Sequence, residues 1–501
     1  MAHTYRIGID VGGTFTDAVL LIDGTLELVG TVKVPTTHSS PFGVAEGISN
    51  ALESLLQTYQ IPSGAISFIA HGTTQATNAL LEGDVAPVAI IATGDGAFSY
   101  KVRKETQFSS FPLADKKELK SSSYFLSSFN KEEVDKIIDN IIEKKIVTVV
   151  SATAYSVDTP FIEKAIKKMV SKKGLACTAT HEMSGLYGLR TRTKTAVLNA
   201  SILPKMVETT EFMKKSVISS GIHSPLMIMR SDGGVMSAAE VAHTPIQTIL
   251  SGPAAGVRGA ISYLDVQEGF FMEAGGTSTD ISLIRNNDVL VRWAQIGSHK
   301  TYINSLDIHT VAVAGGSMLQ RSGDTIKVGP RSAHIAGLEY LCFAENLDVD
   351  SLDIEEYISK NDVSPYITCV DRTTQKRYAL TLTCIANVMG YTTKDDYCYS
   401  PHYERIMFVI KLLASFLGIS ADQVLQKVND SVCSTIIPVL EELATTYQVD
   451  INNLPIVGGG GGCSSVVPLV AKIKNMKYLI GKNAHVISPI GVALSMVRES
   501  V

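Results

Sequence analysis

Apolar residues cluster near 6–11, 16–22 and 26–34, separated by Gly12-Gly13 and by Asp23-Gly24, a dipeptide that favours tight hairpin turns. The pattern predicts three antiparallel strands. Val44, Ile48, Leu52 and Leu55 then recur at helical spacing, and a buried strand is expected near 86–92. Val134, Ile137, Ile138, Ile141 and Ile142 mark another helix, leading into the apolar run Ile146–Val150 and a helix over 160–172. The class is α/β, with helices packed on mixed sheets.

Half a chain later the opening pattern returns. Asp10-Val-Gly-Gly-Thr-Phe-Thr-Asp17 recurs as Glu273-Ala-Gly-Gly-Thr-Ser-Thr-Asp280, identical at five of eight positions. An apolar run precedes each copy. The second copy continues through Ile281–Ile284, a polar turn at Asn286, Asn287 and Asp288, and a strand over Val289–Trp293. Repetition at this separation indicates a duplicated lobe, not a solenoid, and predicts lobes over 1–195 and 196–501. The second lobe shows helices near 196–219, 402–417 and 421–447, the last capped by Ser420. Strand Leu454–Val457 runs into five glycines and a helix over 464–475, and Ser488–Val497 reads as a closing helix that can return to the first lobe. Between 335 and 400 the pattern assigns no elements.

Composition narrows the function classes. With 44 basic against 49 acidic residues the formal charge is −5, and no basic run suits a nucleic-acid backbone. No apolar stretch reaches the roughly 18 residues of a membrane helix, and the N-terminus enters a strand without a basic leader, so a cytoplasmic protein with neither nucleic acid nor membrane as partner is expected. Seven cysteines without a C-x-x-C pair read as reduced thiols. Cys463, at a predicted helix start, is expected to be buried.

The repeated turns carry the candidate chemistry. In each, an acid near a strand end precedes a Gly-Gly-Thr turn whose bare backbone can approach phosphate closely. Gly12, Gly13, Thr14 and Thr16 in one copy, and Gly275, Gly276, Thr277 and Thr279 in the other, are the candidate phosphate ligands. Asp10 and Glu273 are candidate Mg²⁺ ligands, directly or through water, and Asp280 joins them as a catalytic candidate. Gly458, Gly459 and Gly460, at a strand-to-helix junction, are expected to receive the adenosine side of ATP. A dinucleotide fingerprint is the rival there, with Cys463 standing at its third glycine. His71, Asp307 and His309 are secondary candidates for a second metal, and Arg190 and Arg192 either clamp an anion or lie on a solvated surface.

The segments IGIDVGGTFTDAVL, AHGTTQATNALLEG (70–83), TAVLNASILP (195–204), RSDGGVMS (230–237), TILSGPAAGV (248–257) and GGTSTDISLI (275–284) resemble hydantoinase A/oxoprolinase proteins. DIHTVAVAGGS (307–317) and VGPRSA (328–333) continue the series. The resemblance implies a duplicated actin-like, ribonuclease H-like two-lobe ATPase fold. It also implies ATP and Mg²⁺ as cofactors and a hydrolase that opens a small cyclic amide, such as a hydantoin or oxoproline, after phosphorylating its oxygen. A hydantoinase B-type partner subunit is implied as well, and a homo-oligomer is compatible with the sequence. The alternatives are an activating subunit of a carboxylase-like complex and a non-catalytic nucleotide-driven activator. Two departures stand out: Glu273 where the family has Asp, and Gly461-Gly462-Cys463-Ser464 where it has Gly-Pro-Leu-His. The segment near Ile335–Phe343 also lacks the family's Pro-Gly-Pro-Ala-Cys-Tyr.

Overall fold

The computed structural model describes residues 3–13, 15–37, 40, 43–96, 99–108, 110–113, 117–359 and 362–497. The chain forms two compact units. Unit 1 comprises Met1–Ala255, Val291–Leu306 and Val492–Val501, and unit 2 comprises Gly256–Leu290 and Asp307–Gly491. The boundary expected at residue 195 instead falls inside the helix Leu189–Ser219, whose buried positions continue from Leu189 to Val217. No break in the core exists there, so the chain does not divide at that point.

In unit 1, strands β1 (Tyr5–Val11), β2 (Phe15–Ile22), β3 (Leu28–Pro35), β4 (Ile66–Thr73), β5 (Leu226–Met229) and β6 (Val235–Ser237) form one sheet, in the order β6-β5-β4-β1-β2-β3. β1, β2 and β3 are an antiparallel meander, whereas β1 runs parallel to β4 and β4 to β5. A second, all-parallel sheet in the same unit holds Val88–Thr93 and Thr148–Thr153 at its centre, and both are buried at every position, as strands covered on both faces must be.

Unit 2 repeats the first sheet. Strands β7 (Glu268–Ala274), β8 (Thr279–Arg285), β9 (Asp288–Val289), β10 (His309–Val311), β11 (Ile456–Gly459) and β12 (Tyr478–Ile480) take the order β9-β8-β7-β11-β12, with β10 also paired to β8. Order and directions match β3-β2-β1-β4-β5 strand for strand. The cores match too: Ile7, Ile9, Val11, Ala18 and Leu20 in unit 1 correspond to Phe270, Met272, Ala274, Ile281 and Leu283 in unit 2. The duplicated α/β architecture with mixed sheets, read from the repeat, is present.

One expected strand is corrected and one unassigned stretch is filled. The strand anticipated over Val289–Trp293 is two strands, because β9 ends at Val289 while Val291–Ile296 pairs with His299–Leu306 inside unit 1. Asn286 and Asn287, at φ 54° and 59°, close a two-residue turn, and the Leu290 N–H is drawn to the Tyr447 hydroxyl, which ends the pairing. The unassigned stretch near 335–400 holds a four-stranded sheet of Glu339–Tyr340, Leu352–Tyr357, Tyr366–Asp371 and Arg377–Ala379, followed by a helix over Leu382–Val388. Among the described residues no single helix is long and apolar enough to cross a membrane. All seven cysteines are buried and unpaired, and burial raises the Cys463 thiol to about 12.

Candidate functional site

β1 delivers Asp10 to the end of the unit 1 sheet, where the Gly12 N–H donates to the Phe15 carbonyl (3.0 Å) and closes the turn. Thr14 lies outside the described residues. Asp10 stands in register with Asp17 of β2 and Gly72 of β4, so it shares a face with them, while Ile9 and Val11 point into the core. A Cβ on Gly72 would lie 3.2 Å from Asp10 Oδ1, and one on Gly13 would meet nothing within 4 Å. Asp10 Oδ1 is buried and lacks a hydrogen-bond partner among the described residues. Burial first, then the Asp17 carboxylate, raises the Asp10 pKa to about 7, against the pull of Lys33, whose ammonium lies 3.3 Å from Asp17 Oδ1.

Strand alternation removes two candidates from this face. Thr16 pairs with Val11, is fully buried, and holds its hydroxyl 3.2 Å from that of Thr36, which donates to the Gly12 carbonyl (2.9 Å). It therefore braces the turn from behind. His71 pairs with Ile9 on the core face and is fully buried. Burial lowers its pKa to about 4, partly offset by the Ile9 backbone, and neither ring nitrogen makes a well-formed hydrogen bond. A neutral imidazole behind the sheet is not placed to ligate a metal beside Asp10.

The corresponding turn in unit 2 is built alike but used differently. Gly275 N–H donates to the Ser278 carbonyl (3.0 Å), and Glu273 stands in register with Asp280 and with Gly459 of β11. Its longer side chain reaches the helix Ser251–Ser262, where a Cβ on Gly256 would fall 1.6 Å from Glu273 Oε2. The Ser488 hydroxyl donates to Glu273 Oε1. Here the carboxylate is held by its own unit, so Asp10 fits the metal role better than Glu273 does. Thr279 is fully buried and donates to the Val313 carbonyl (2.6 Å), repeating the bracing role of Thr16. Asp280 accepts from the Thr310 hydroxyl, and burial raises its pKa to about 6 despite that bond.

Gly458, Gly459 and Gly460, expected to receive the adenosine side of ATP, are buried at the end of β11. A Cβ on Gly459 would sit 2.8 Å from the Phe271 ring, one on Gly458 2.9 Å from Ile480, and one on Gly460 (φ 81°) 2.4 Å from the Ala274 carbonyl. Sequence reasoning missed a third glycine pair: Gly315 and Gly316 donate to the carbonyls of Gly275 (3.2 Å) and Gly276 (3.1 Å). Its signal was present in the segment DIHTVAVAGGS. Gly275 and Gly276 thus stack their backbone against Gly315 and Gly316. Asp307 and His309 pair with each other (3.3 Å) in unit 2, and no group of three His, Cys, Asp or Glu side chains among the described residues could hold a metal ion. Arg192 is buried and donates to the carbonyls of Leu186 (2.9 Å) and Thr153 (3.3 Å), while Arg190 donates to the Lys104 carbonyl (3.1 Å), so neither is a free anion clamp.

Each turn therefore places a carboxylate beside bare backbone. The orphaned Asp10 oxygen suits a hydrated divalent cation, whose water would satisfy it.

The family described as Hydantoinase/oxoprolinase matches residues 192–501, and its N-terminal region matches residues 6–174. The acetophenone carboxylase gamma subunit of Aromatoleum aromaticum is 25% identical over 65% of this chain and 49% of its own length. 5-Oxoprolinase 1 of Arabidopsis thaliana is 29% identical over 65% of this chain and 29% of its own. The crystal structure of ATP-dependent caprolactamase from Pseudomonas jessenii superposes with a TM-score of 0.71 at 21% identity, covering 98% of this chain and 71% of that one. The chain spans about half the length of the curated relatives it matches first.

Proposed function

The chain belongs to the hydantoinase/oxoprolinase family, and on that premise we propose that it is an ATP-dependent hydrolase that opens a small cyclic amide. The observation that carries the reading is Asp10, a carboxylate with a buried unsatisfied oxygen and a pKa near 7 beside the open backbone at Gly13. The relatives named 5-oxoprolinase and caprolactamase support the cyclic amide as substrate.

In this reading the amide oxygen attacks the γ-phosphorus of ATP and ADP leaves. Water adds to the activated carbon, the ring C–N bond breaks, and a second water attacking that carbon releases phosphate. The balance is ATP, cyclic amide and two waters giving ADP, phosphate and an amino acid. Asp10 would hold Mg²⁺ through its waters, and the ion would neutralise charge on the transferring phosphoryl group. The Gly12-Gly13 turn lets phosphate approach the backbone, and Thr16 keeps that turn rigid from the core side. Asp280, with a pKa of about 6, is the acid–base candidate of unit 2.

A relative named as a carboxylase subunit supports two further points: a separate partner subunit, and a second reading in which the phosphorylated oxygen belongs to a ketone captured by that partner. The test is ADP release measured with a panel of lactams, hydantoins and ketones, with and without a B-type subunit. Stimulation by a cyclic amide supports the hydrolase, stimulation by ketones alone supports the second reading, and ATP turnover indifferent to both classes contradicts each.

A further inference from the structure

Unit 1 contains a cavity of about 950 Å³ that the acid turn does not explain. Its walls include Arg230, Met236, Gln247, Trp293, Tyr302 and Asn304. Among the described residues, Arg230 and Glu240 are the only lysine, arginine, aspartate or glutamate side chains in the lining, and they cancel. Arg230 is further neutralised by Asp232 at 2.7 Å, and the Glu240 carboxylate accepts from the Ser237 N–H. A triphosphate would find no surplus positive charge there.

The wall offers neutral polar groups. Among the described residues, the side-chain amides of Gln247 and Asn304 have no hydrogen-bond partner, although their backbone carbonyls hold the Ser231 hydroxyl at 3.1 Å and 2.8 Å and so fix both residues in place. A carboxamide carries one donor group and one acceptor, the complement of a ring amide. Beside them Trp293 meets Tyr302 edge to face at 5.5 Å, giving an apolar wall, and Trp293 is 49% exposed.

Position ties the cavity to Asp10. β1, β4 and β5 are parallel and end at the same edge of the sheet. Asp10 pairs with Gly72, and His71 pairs with Ile228, so Arg230 and Ser231 begin one residue beyond the row of Asp10. Two strand spacings separate them, about 10 Å. Ligands of open α/β sheets lie at this carboxyl edge.

We propose that this cavity is the amide site: it takes a neutral ring amide, bonded by the Gln247 and Asn304 carboxamides, whose substituent packs on Trp293 and Tyr302. The volume is at the upper end of small-molecule sites and far exceeds a bare lactam ring, so the ligand carries a substituent of its own. The inference rests on the cyclic-amide reading above.

Trp293 is the chain's single tryptophan, so its emission reports this cavity without ATP. Titration of the full chain with lactams and hydantoins, bare and ring-substituted, is expected to give a saturable change, tightest for the substituted rings. The double variant Gln247→Ala/Asn304→Ala is expected to bind at least ten-fold more weakly while keeping its melting temperature and its stabilisation by ATP with Mg²⁺. An unchanged emission across the panel, in a chain that ATP still stabilises, overturns the assignment, as does undiminished binding by the double variant. If rings bind as expected but never stimulate ADP release, the cavity assignment stands and the hydrolase reading falls.

Discussion

Replacing Asp10 by Asn removes a charge that the fold holds at a cost. Ordinary aspartate titrates near 3.8, and burial with the neighbouring Asp17 moves Asp10 to about 7. Because the folded-state pKa is the higher one, the protonated form stabilises the fold at acid pH, and that contribution is lost as pH climbs from about 4 through 7. At 1.36 kcal/mol per decade the full span is about 4 kcal/mol, of which about 3 falls between pH 5 and 8. Asp10 is half-buried, so solvent screening reduces the expected span to about 1 to 3 kcal/mol. Urea unfolding followed by Trp293 emission reads unit 1 directly. The stability of D10N relative to wild type should rise by that amount between pH 5 and 8, and ATP with Mg²⁺ should stabilise the wild type far more than the variant. Parallel pH profiles for the two proteins would refute the desolvated-carboxylate argument.

Gly256→Ala should destabilise unit 2 by about 1 to 3 kcal/mol through the collision with Glu273, and Glu273→Asp in the same chain should restore most of it, as a double-mutant unfolding cycle would show. Gly459→Val should lower the melting temperature of the chain, because its Cβ meets the Phe271 ring; a variant with unchanged stability and weaker ATP binding would return this loop to the ligand. Thr310→Val removes the bond that restrains Asp280, so the carboxyl pKa should rise above about 6 in an NMR titration, and an unchanged or lower value would count against the assignment.

The duplicated sheet was legible because the acid-Gly-Gly-Thr turns repeat with their flanking core positions, down to Ile9 and Met272. Less visible was the correspondence of His71-Gly72-Thr73 with Gly458-Gly459-Gly460, since β4 and β11 pair with β1 and β7 in the same register but share little more than a glycine. Face assignment was the harder step. Thr16 and Thr279 carry suitable hydroxyls, yet alternation turns them inward, and His71 follows Ile9 into the core. That Gly459 and Gly460 also leave room for Phe271 and for the Ala274 carbonyl is a tertiary fact that the glycine run by itself does not encode. The segment Val291–Leu306 is a local hairpin whose docking into unit 1, through Tyr302 N–H to the Thr195 hydroxyl (3.1 Å) and Leu306 N–H to the Ser231 carbonyl (2.9 Å), no local pattern encodes, and it carries the Trp293 wall of the cavity.

Oxygen tracing tests the central claim most directly. A cyclic amide labelled with ¹⁸O at its carbonyl is turned over with ATP, and the products are examined by mass spectrometry. Attack of the amide oxygen on the γ-phosphorus, followed by water at carbon, predicts one labelled oxygen in each inorganic phosphate released. Label retained wholly in the product carboxylate, with unlabelled phosphate, would contradict the account.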